Sequence, residues 1–136
     1  MIFVAMESGY SATVLDHFEH PRNAGEMQDP DAVGYQTNPV CGDTMRLMLR
    51  ISDSTIQQAM FQTSGCPASI AASSICTEMI TGRRLEEVRD LRKEDIAEAL
   101  GGLPTSKVHC SVLAADALRK AIADYQQGQS ALGARI

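Results

Sequence analysis

The chain has 136 residues, 44% of them hydrophobic, which is enough for one domain with an aliphatic core. Its formal net charge of -5 argues against binding along a nucleic-acid backbone, and no stretch approaches the ~20 apolar residues of a membrane span. Its four cysteines are too few and too irregularly spaced for a disulfide framework, and its first residues do not resemble a secretory signal. We therefore expect a cytoplasmic protein whose reduced thiols bind metal or react.

A helix is predicted over residues 12–20, because Ser11 is a favourable N-cap residue and Pro21 cannot continue a helix. Its apolar residues share one face, namely Val14, Leu15 and Phe18. His17 and His20 lie three residues apart and could share a metal ion, but no third ligand is nearby. We expect both imidazoles to be solvated.

Three strands are predicted next, over residues 33–40, 45–51 and 56–63. The second is the clearest, because apolar residues alternate along it at Met45, Leu47, Leu49 and Ile51. A turn over residues 52–55 joins it to the third strand as an antiparallel hairpin. In the first strand, Val33, Tyr35 and Thr37 share one side.

The remaining elements are helical. Cys66 is predicted at the N-cap of a helix that runs to Thr81, since Pro67 favours the first helical position. Two short helices follow over residues 83–89 and 93–100, and a long helix covers residues 108–126. The apolar stripe of the long helix is Val112, Ala115, Leu118, Ile122 and Tyr125.

These elements predict an α+β fold in which a small three-stranded antiparallel sheet packs against about five helices, with a metal site at one end. Residues 11–127 are expected to form this domain. Residues 1–10 are expected to be a flexible N-terminal segment and residues 128–136 a flexible tail.

The metal site is suggested by Cys41, Cys66 and Cys110, which lie far apart on predicted turns, two of them beside another ligand type. Asp43 follows Cys41 across a glycine that lets the chain turn sharply, and His109 precedes Cys110. Cys66 and Cys110 are expected at helix starts, where free backbone N–H groups lower a thiol pKa.

Thiolates favour zinc and iron–sulfur iron, whereas the carboxylate of Asp43 is a harder ligand. Three thiolates with a replaceable fourth ligand hold a cluster less firmly than four thiolates, which is useful if the cluster must leave. Either Asp43 or His109 could take that fourth position. A structural zinc site is the alternative interpretation, although no Cys-x-x-Cys pair of the zinc-finger kind is present.

Cys76 and Lys107 are assigned other roles. Cys76 falls inside a predicted helix without a useful ligand at helical spacing, so we expect it to pack in the core. Lys107 is either solvated or paired with Asp43, and a cation close to thiolates would lower their pKa.

Four motifs resemble the iron–sulfur cluster assembly scaffolds of the IscU type, equivalent to the N-terminal domain of NifU. The resemblance covers about Tyr10 to Tyr125. The motifs are Asp16-His17-Phe18 with Pro21-Arg22-Asn23, then Pro39-Val40-Cys41-Gly42-Asp43, then Phe61-Gln62-Thr63-Ser64-Gly65-Cys66, then Gly102-Leu103-Pro104 through Lys107-Val108-His109-Cys110-Ser111.

The resemblance implies a non-enzymatic scaffold that assembles a transient [2Fe-2S] cluster from iron and persulfide sulfur and transfers it to apo-proteins. By position it makes Cys41, Cys66 and Cys110 the cluster ligands, with Asp43 and His109 competing for the remaining place. Cys110 is the expected main persulfide acceptor. Fe2+ is the implied metal, and Zn2+ can occupy the same site.

The implied partners are a cysteine desulfurase, apo acceptor proteins for the cluster, ferredoxin and a frataxin-like protein, with neither nucleic acid nor membrane. The family's Leu-Pro-Pro-Val-Lys segment, recognised by an Hsp70-type chaperone, reads Leu103-Pro104-Thr105-Ser106-Lys107 here, which leaves that partner open. Two other hypotheses are a zinc-dependent sulfur-transfer protein and a structural zinc domain.

Overall fold

A computed structural model describes residues 9–135, with side chains described for residues 9–128. In this part of the chain, five α-helices and a three-stranded antiparallel sheet form an α+β fold, which confirms the predicted fold class. The helices are α1 (Ala12–Glu19), α2 (Pro67–Ile80), α3 (Leu85–Val88), α4 (Lys93–Ala99) and α5 (His109–Arg135). The strands are β1 (Ala32–Thr37), β2 (Thr44–Ser52) and β3 (Thr55–Ser64), and a 3₁₀ turn covers Thr105–Lys107. None of the described helices is long and apolar enough to cross a membrane.

The sheet has the order β1-β2-β3, and its central hairpin follows the predicted alternation. Asp53 and Ser54 form the two-residue turn with positive φ angles of 53° and 58°, as a tight hairpin requires. Met45, Leu47, Leu49 and Ile51 are buried as predicted, and Met48 on the opposite face of β2 is buried as well. The register of pairing between β2 and β3 shifts between Arg50 and Ile51, where the sequence did not determine which residues of the two strands are opposite each other.

Helix α5 lies directly against β1 because Gly34 has no side chain. A Cβ atom at Gly34 would lie 2.0 Å from the carbonyl oxygen of Ala117 and 2.6 Å from the amide nitrogen of Ala121. The contact also explains why Ala32 and Gly34 face inward while Tyr35 is exposed. Close packing of this kind fixes the axis of α5 relative to the sheet.

Strand β1 is shorter than predicted and ends at Thr37 rather than near residue 40. The next residues turn instead, since the Asn38 amide donates to the Asp43 carbonyl at 2.8 Å and the Gly42 amide donates to the Asn38 carbonyl at 2.8 Å. These two bonds close a loop and remove the backbone groups that a longer strand would have used.

Helix α1 confirms the predicted cap, because the Ser11 hydroxyl accepts from the Val14 amide at 3.1 Å. The prediction that His17 is solvated is wrong. His17 is only 4% exposed, whereas Phe18, predicted on the apolar face, is 38% exposed. His20 is exposed as expected.

The helix is rotated so that Val14 and His17 are buried, and the hydroxyl of Ser74 and the carboxylate of Glu78 on α2 are the partners of the imidazole. His17 Nδ1 lies 2.7 Å from Ser74 Oγ, and His17 Nε2 lies 3.5 Å from Glu78 Oε1. Burial lowers the pKa of His17, and the nearby Arg22 lowers it further, although Glu78 opposes the change. The polar partners on α2, which sequence reasoning did not identify, decided which face of α1 is buried.

Helix α5 runs to Arg135, so its predicted end near Gln126 is wrong. Gly128 does not end the helix, since a single exposed glycine costs only about 1 kcal/mol and the following residues include good helix formers. The predicted stripe is broader than expected, with Leu113, Ala114, Ala117 and Ala121 also buried. Residues 1–8 of the predicted flexible segment lie outside the described residues, whereas Tyr10 packs against the core.

Candidate metal centre

The first element of the site is the start of α2. Cys66 is its N-cap residue in extended conformation, with Pro67 at the first helical position, as predicted. Its carbonyl accepts from the amides of Ser69 and Ile70, both at 3.1 Å. The thiol makes no capping bond, so the sulfur is available to other groups: Sγ lies 3.5 Å from Ser69 Oγ.

The second element is the start of α5, which places Cys110 beside Cys66. The two sulfur atoms lie 3.6 Å apart, and Cys110 is only 1% exposed. Burial raises the pKa of the Cys110 thiol to about 12, although a hydrogen bond with Ser69 lowers it and the Cys66 thiol raises it further. The expectation of a lowered pKa for Cys110 is therefore wrong, because burial disfavours the charged thiolate.

The third element is the turn between β1 and β2, which aims Asp43 at the start of α2. Its Oδ2 atom accepts from Ser69 Oγ at 2.5 Å and from the Cys66 amide at 3.3 Å. Burial alone would raise the pKa of Asp43, but bonds from Ser69, the Cys66 amide and the Cys41 thiol outweigh it, and the net pKa is lowered. Asp43 is therefore a carboxylate at neutral pH.

Gly65 makes this approach of Asp43 sterically feasible. A Cβ atom at position 65 would lie 2.5 Å from Asp43 Cγ and 2.6 Å from Asp43 Oδ2, closer than such atoms approach one another. Gly42, within the turn, has a φ of 79°, which glycine adopts without strain. Gly42 therefore allows the turn, whereas Gly65 leaves room for the carboxylate of Asp43.

Three of the five predicted ligands come together. One ligand atom from each of Asp43, Cys66 and Cys110 lies within 4.8 Å of the others. Cys41 and His109 are not part of this group, although the Cys41 thiol is close enough to lower the pKa of Asp43. The Cys41 side chain is exposed.

His109 directly precedes Cys110 and opens α5. Its Nε2 atom is buried and has no hydrogen-bond partner among the described residues, a condition that is costly unless the atom has another use. The donor atoms around this centre are cysteine sulfur, carboxylate oxygen and imidazole nitrogen, which suit zinc and iron.

Asn38 is a site residue that sequence reasoning missed. It is 5% exposed, donates from Nδ2 to the His109 carbonyl at 3.1 Å and accepts at Oδ1 from the Val40 amide at 2.8 Å. It therefore ties the turn that carries Cys41 to the start of α5. An Asn before a Pro in a loop is a signal for such a side-chain turn, but its second bond depends on the tertiary structure.

Ser69 is a second site residue that sequence reasoning missed, whereas Lys107 was predicted to be solvated or paired with Asp43 and is half-buried. Ser69 is buried and bridges Asp43 and Cys66 through its hydroxyl. No ion pair joins Lys107 to Asp43 within the part of the chain described. The pKa of Lys107 is nevertheless raised, first by Cys66 and then by Tyr10, so its positive charge interacts electrostatically with the centre. Cys76 is fully buried in α2, as predicted.

The chain and its fold are similar to known proteins. Residues 9–131 match the family described as NifU-like N terminal domain. The chain is 53% identical over 116 residues to "Iron-sulfur cluster assembly scaffold protein IscU 1" of Archaeoglobus fulgidus, which covers 85% of this chain and 76% of that protein. It is 44% identical over 126 residues to "Iron-sulfur cluster assembly scaffold protein IscU" of Escherichia coli K12, which covers 90% of this chain and 98% of that protein. A crystal structure of a NifU-like protein (N-terminal) from Brucella abortus shares the fold, with a TM-score of 0.72 at 18% identity over 86% of this chain and 94% of that chain.

Proposed function

The chain belongs to the family of NifU-like N-terminal domains, and we propose that it is a scaffold on which an iron–sulfur cluster is assembled. Its relatives named IscU are described as iron–sulfur cluster assembly scaffold proteins. The role is that of a carrier rather than an enzyme, since the cluster is cargo that the protein holds and passes on.

The observation that carries the proposal is the grouping of Asp43, Cys66 and Cys110 within 4.8 Å. Two sulfur donors with one carboxylate make a soft but incomplete ligand set. The cargo in this proposal is a [2Fe-2S] cluster held by Cys41, Cys66 and Cys110, with Asp43 and His109 competing for the fourth position. Zn2+ can occupy the same donors, and Fe2+ is the form in which iron arrives.

Cys41 completes the set from the solvent side. Its thiol is exposed and already close to Asp43, so a small movement of the turn brings it to the same metal. The buried Nε2 atom of His109, the residue before Cys110, is the alternative donor in this proposal. A site with a surplus of candidate ligands can exchange one for another while the cluster enters or leaves.

Sulfur arrives in this proposal as persulfide from a cysteine desulfurase, with Cys110 as the main acceptor. Because Cys110 is 1% exposed, its sulfur becomes accessible to the donor only when docking of the desulfurase moves the residues that cover it. The further partners proposed are apo acceptor proteins, ferredoxin and a frataxin-like protein, in the cytoplasm. An Hsp70-type chaperone stays open, because Thr105-Ser106 stands where the family's recognised segment has Pro-Val.

Anaerobic reconstitution with ferrous iron, a desulfurase and cysteine tests the scaffold role. We expect a visible cluster chromophore that moves to an apo-ferredoxin. The Cys76→Ala variant is the matched control, since Cys76 is buried away from the donor group and its loss should leave assembly intact. Persulfide on Cys110 without any chromophore would contradict the scaffold role and favour a zinc-dependent sulfur-transfer protein.

A further inference from the structure

The contact between the Cys66 and Cys110 sulfur atoms has a chemical use beyond holding a metal. Their separation of 3.6 Å is close to the ~3–3.5 Å of reacting atoms in a near-attack arrangement. Forming a bond of about 2.05 Å between them needs a closure of only about 1.5 Å. Both cysteines lie at helix starts, Cys66 as the N-cap residue of α2 and Cys110 as the second residue of α5.

We propose that Cys66 is the nucleophile that releases sulfide from a persulfide on Cys110. The inference rests on the proposed function, in which Cys110 carries the delivered sulfur. Cys66 Sγ attacks Cys110 Sγ, and the persulfide S–S bond breaks as the new disulfide bond forms. The outer sulfur leaves as hydrosulfide with the electron pair of the broken bond, and the thiol proton of Cys66 passes to the leaving group or to water. Atoms and electrons balance without an external oxidant or reductant.

The geometry selects Cys66 among the thiols of the protein. Of the four described cysteines, Cys66 is the one whose sulfur contacts Cys110 Sγ. Cys76 is fully buried within α2, where burial raises its pKa to about 12, so that it is inert. Cys41 lies on the exposed turn and outside the donor group.

The buried position of Cys110 also favours an internal reductant over an external one. With Cys110 only 1% exposed, a small thiol from solvent has poor access to its sulfur, whereas Cys66 is already in contact. Each event leaves a Cys66–Cys110 disulfide, which a thiol or dithiol reductant opens by attacking Cys66 Sγ, the more exposed of the two sulfur atoms, before the pair can hold iron. Sulfide release and metal retention therefore alternate at the same two sulfur atoms.

A single-turnover experiment on the full, metal-free chain tests this step. The protein is mixed with a persulfide-loaded desulfurase from which free cysteine has been removed, without iron or added reductant. We expect sulfide in an amount equal to the sulfur accepted, a mass lower by two hydrogens, and a non-reduced peptide that joins Cys66 to Cys110.

Two variants isolate the role of Cys66. Cys66→Ser should retain the Cys110 persulfide and lose sulfide release completely, while serine preserves the cap of α2. Cys76→Ala, the matched control, should release sulfide as the unmodified chain does. Circular dichroism of both variants checks that the fold is retained.

Three results would overturn the inference. Sulfide release from Cys66→Ser at the unmodified rate would show that another group is the reductant. A Cys110 persulfide that persists in the unmodified chain, or sulfur that moves on to Cys66 without a disulfide, would reject the step while leaving the scaffold role intact. Absence of any persulfide on Cys110 in Cys66→Ser, together with absence of sulfide and disulfide in the unmodified chain, would reject both the step and the proposed entry of sulfur.

Discussion

The candidate centre has two unlike halves, one built from helix starts and one from an exposed turn. Cys66 and Cys110 open α2 and α5, helices whose inner faces are buried in the core. Cys41 lies on the turn between β1 and β2, beside Val40, which is 78% exposed. The backbones at the two helix starts belong to helices that pack in the core, whereas the turn is restrained by a few hydrogen bonds. In the function proposed above, the first kind of support serves to hold the cluster and the second serves to release it.

The largest test of this comparison is the loss of one thiol from each half. Cys66→Ser should weaken Zn2+ binding by more than about a hundredfold, beyond the usual cost of losing an outer-shell partner. Cys41→Ser should weaken it by about tenfold, because the exposed turn contributes a less ordered ligand. Competition with a chromophoric chelator measures both affinities, and Cys76→Ala controls for cysteine removal as such. Equal losses from both halves would contradict the division.

The next test removes the Asn38 side chain, which connects the turn to the start of α5 through hydrogen bonds. Asn38→Ala removes the bonds to the His109 carbonyl and the Val40 amide, and should lower the free energy of unfolding by about 1–3 kcal/mol. Urea unfolding monitored by circular dichroism measures the change. Asn38→Asp keeps the acceptor for Val40 but sets a second, negatively charged oxygen against the His109 carbonyl, so it should destabilise the protein at least as much. A variant as stable as the parent would show that this connection is unimportant.

A smaller effect is expected at the ligand that joins the turn to α2. We predict that Asp43→Ala still forms a cluster, which then leaves several-fold more slowly, because a hard and exchangeable ligand has been removed. The measurement is the rate at which the cluster absorbance moves to an apo-ferredoxin. Equal or faster transfer from the variant would refute this role for Asp43.

The smallest predicted effect concerns His17, which lies in the contact between α1 and α2. Because the folded pKa of His17 is lowered from 6.5, stability is complete above pH 6.5 and declines as the pH falls below it, when the unfolded chain binds the proton first. Urea midpoints measured between pH 7.5 and about 5 should therefore fall less for His17→Gln than for the parent. Parallel pH profiles would show that His17 does not titrate in this window.

Much of the fold was predictable because its signals are local. The alternation along β2, the cap at Ser11 and the placement of Cys66 before Pro67 each depend on a few neighbouring residues, and all three are confirmed. The errors occur where a distant partner decides. His17 is buried against α2, where Ser74 is its hydrogen-bond partner. The pKa of Cys110 is raised because tertiary packing buries its side chain.

The sequence by itself determined which side chains are chemically able to form a metal site and which of them stand at turns and helix starts. Only the tertiary structure decided that Cys66 and Cys110, separated by 44 positions, would place their sulfur atoms 3.6 Å apart, while Cys41 stays outside the group. Periodicity and capping act over one or two turns of chain, whereas these distances depend on how α5 packs against the sheet through Gly34.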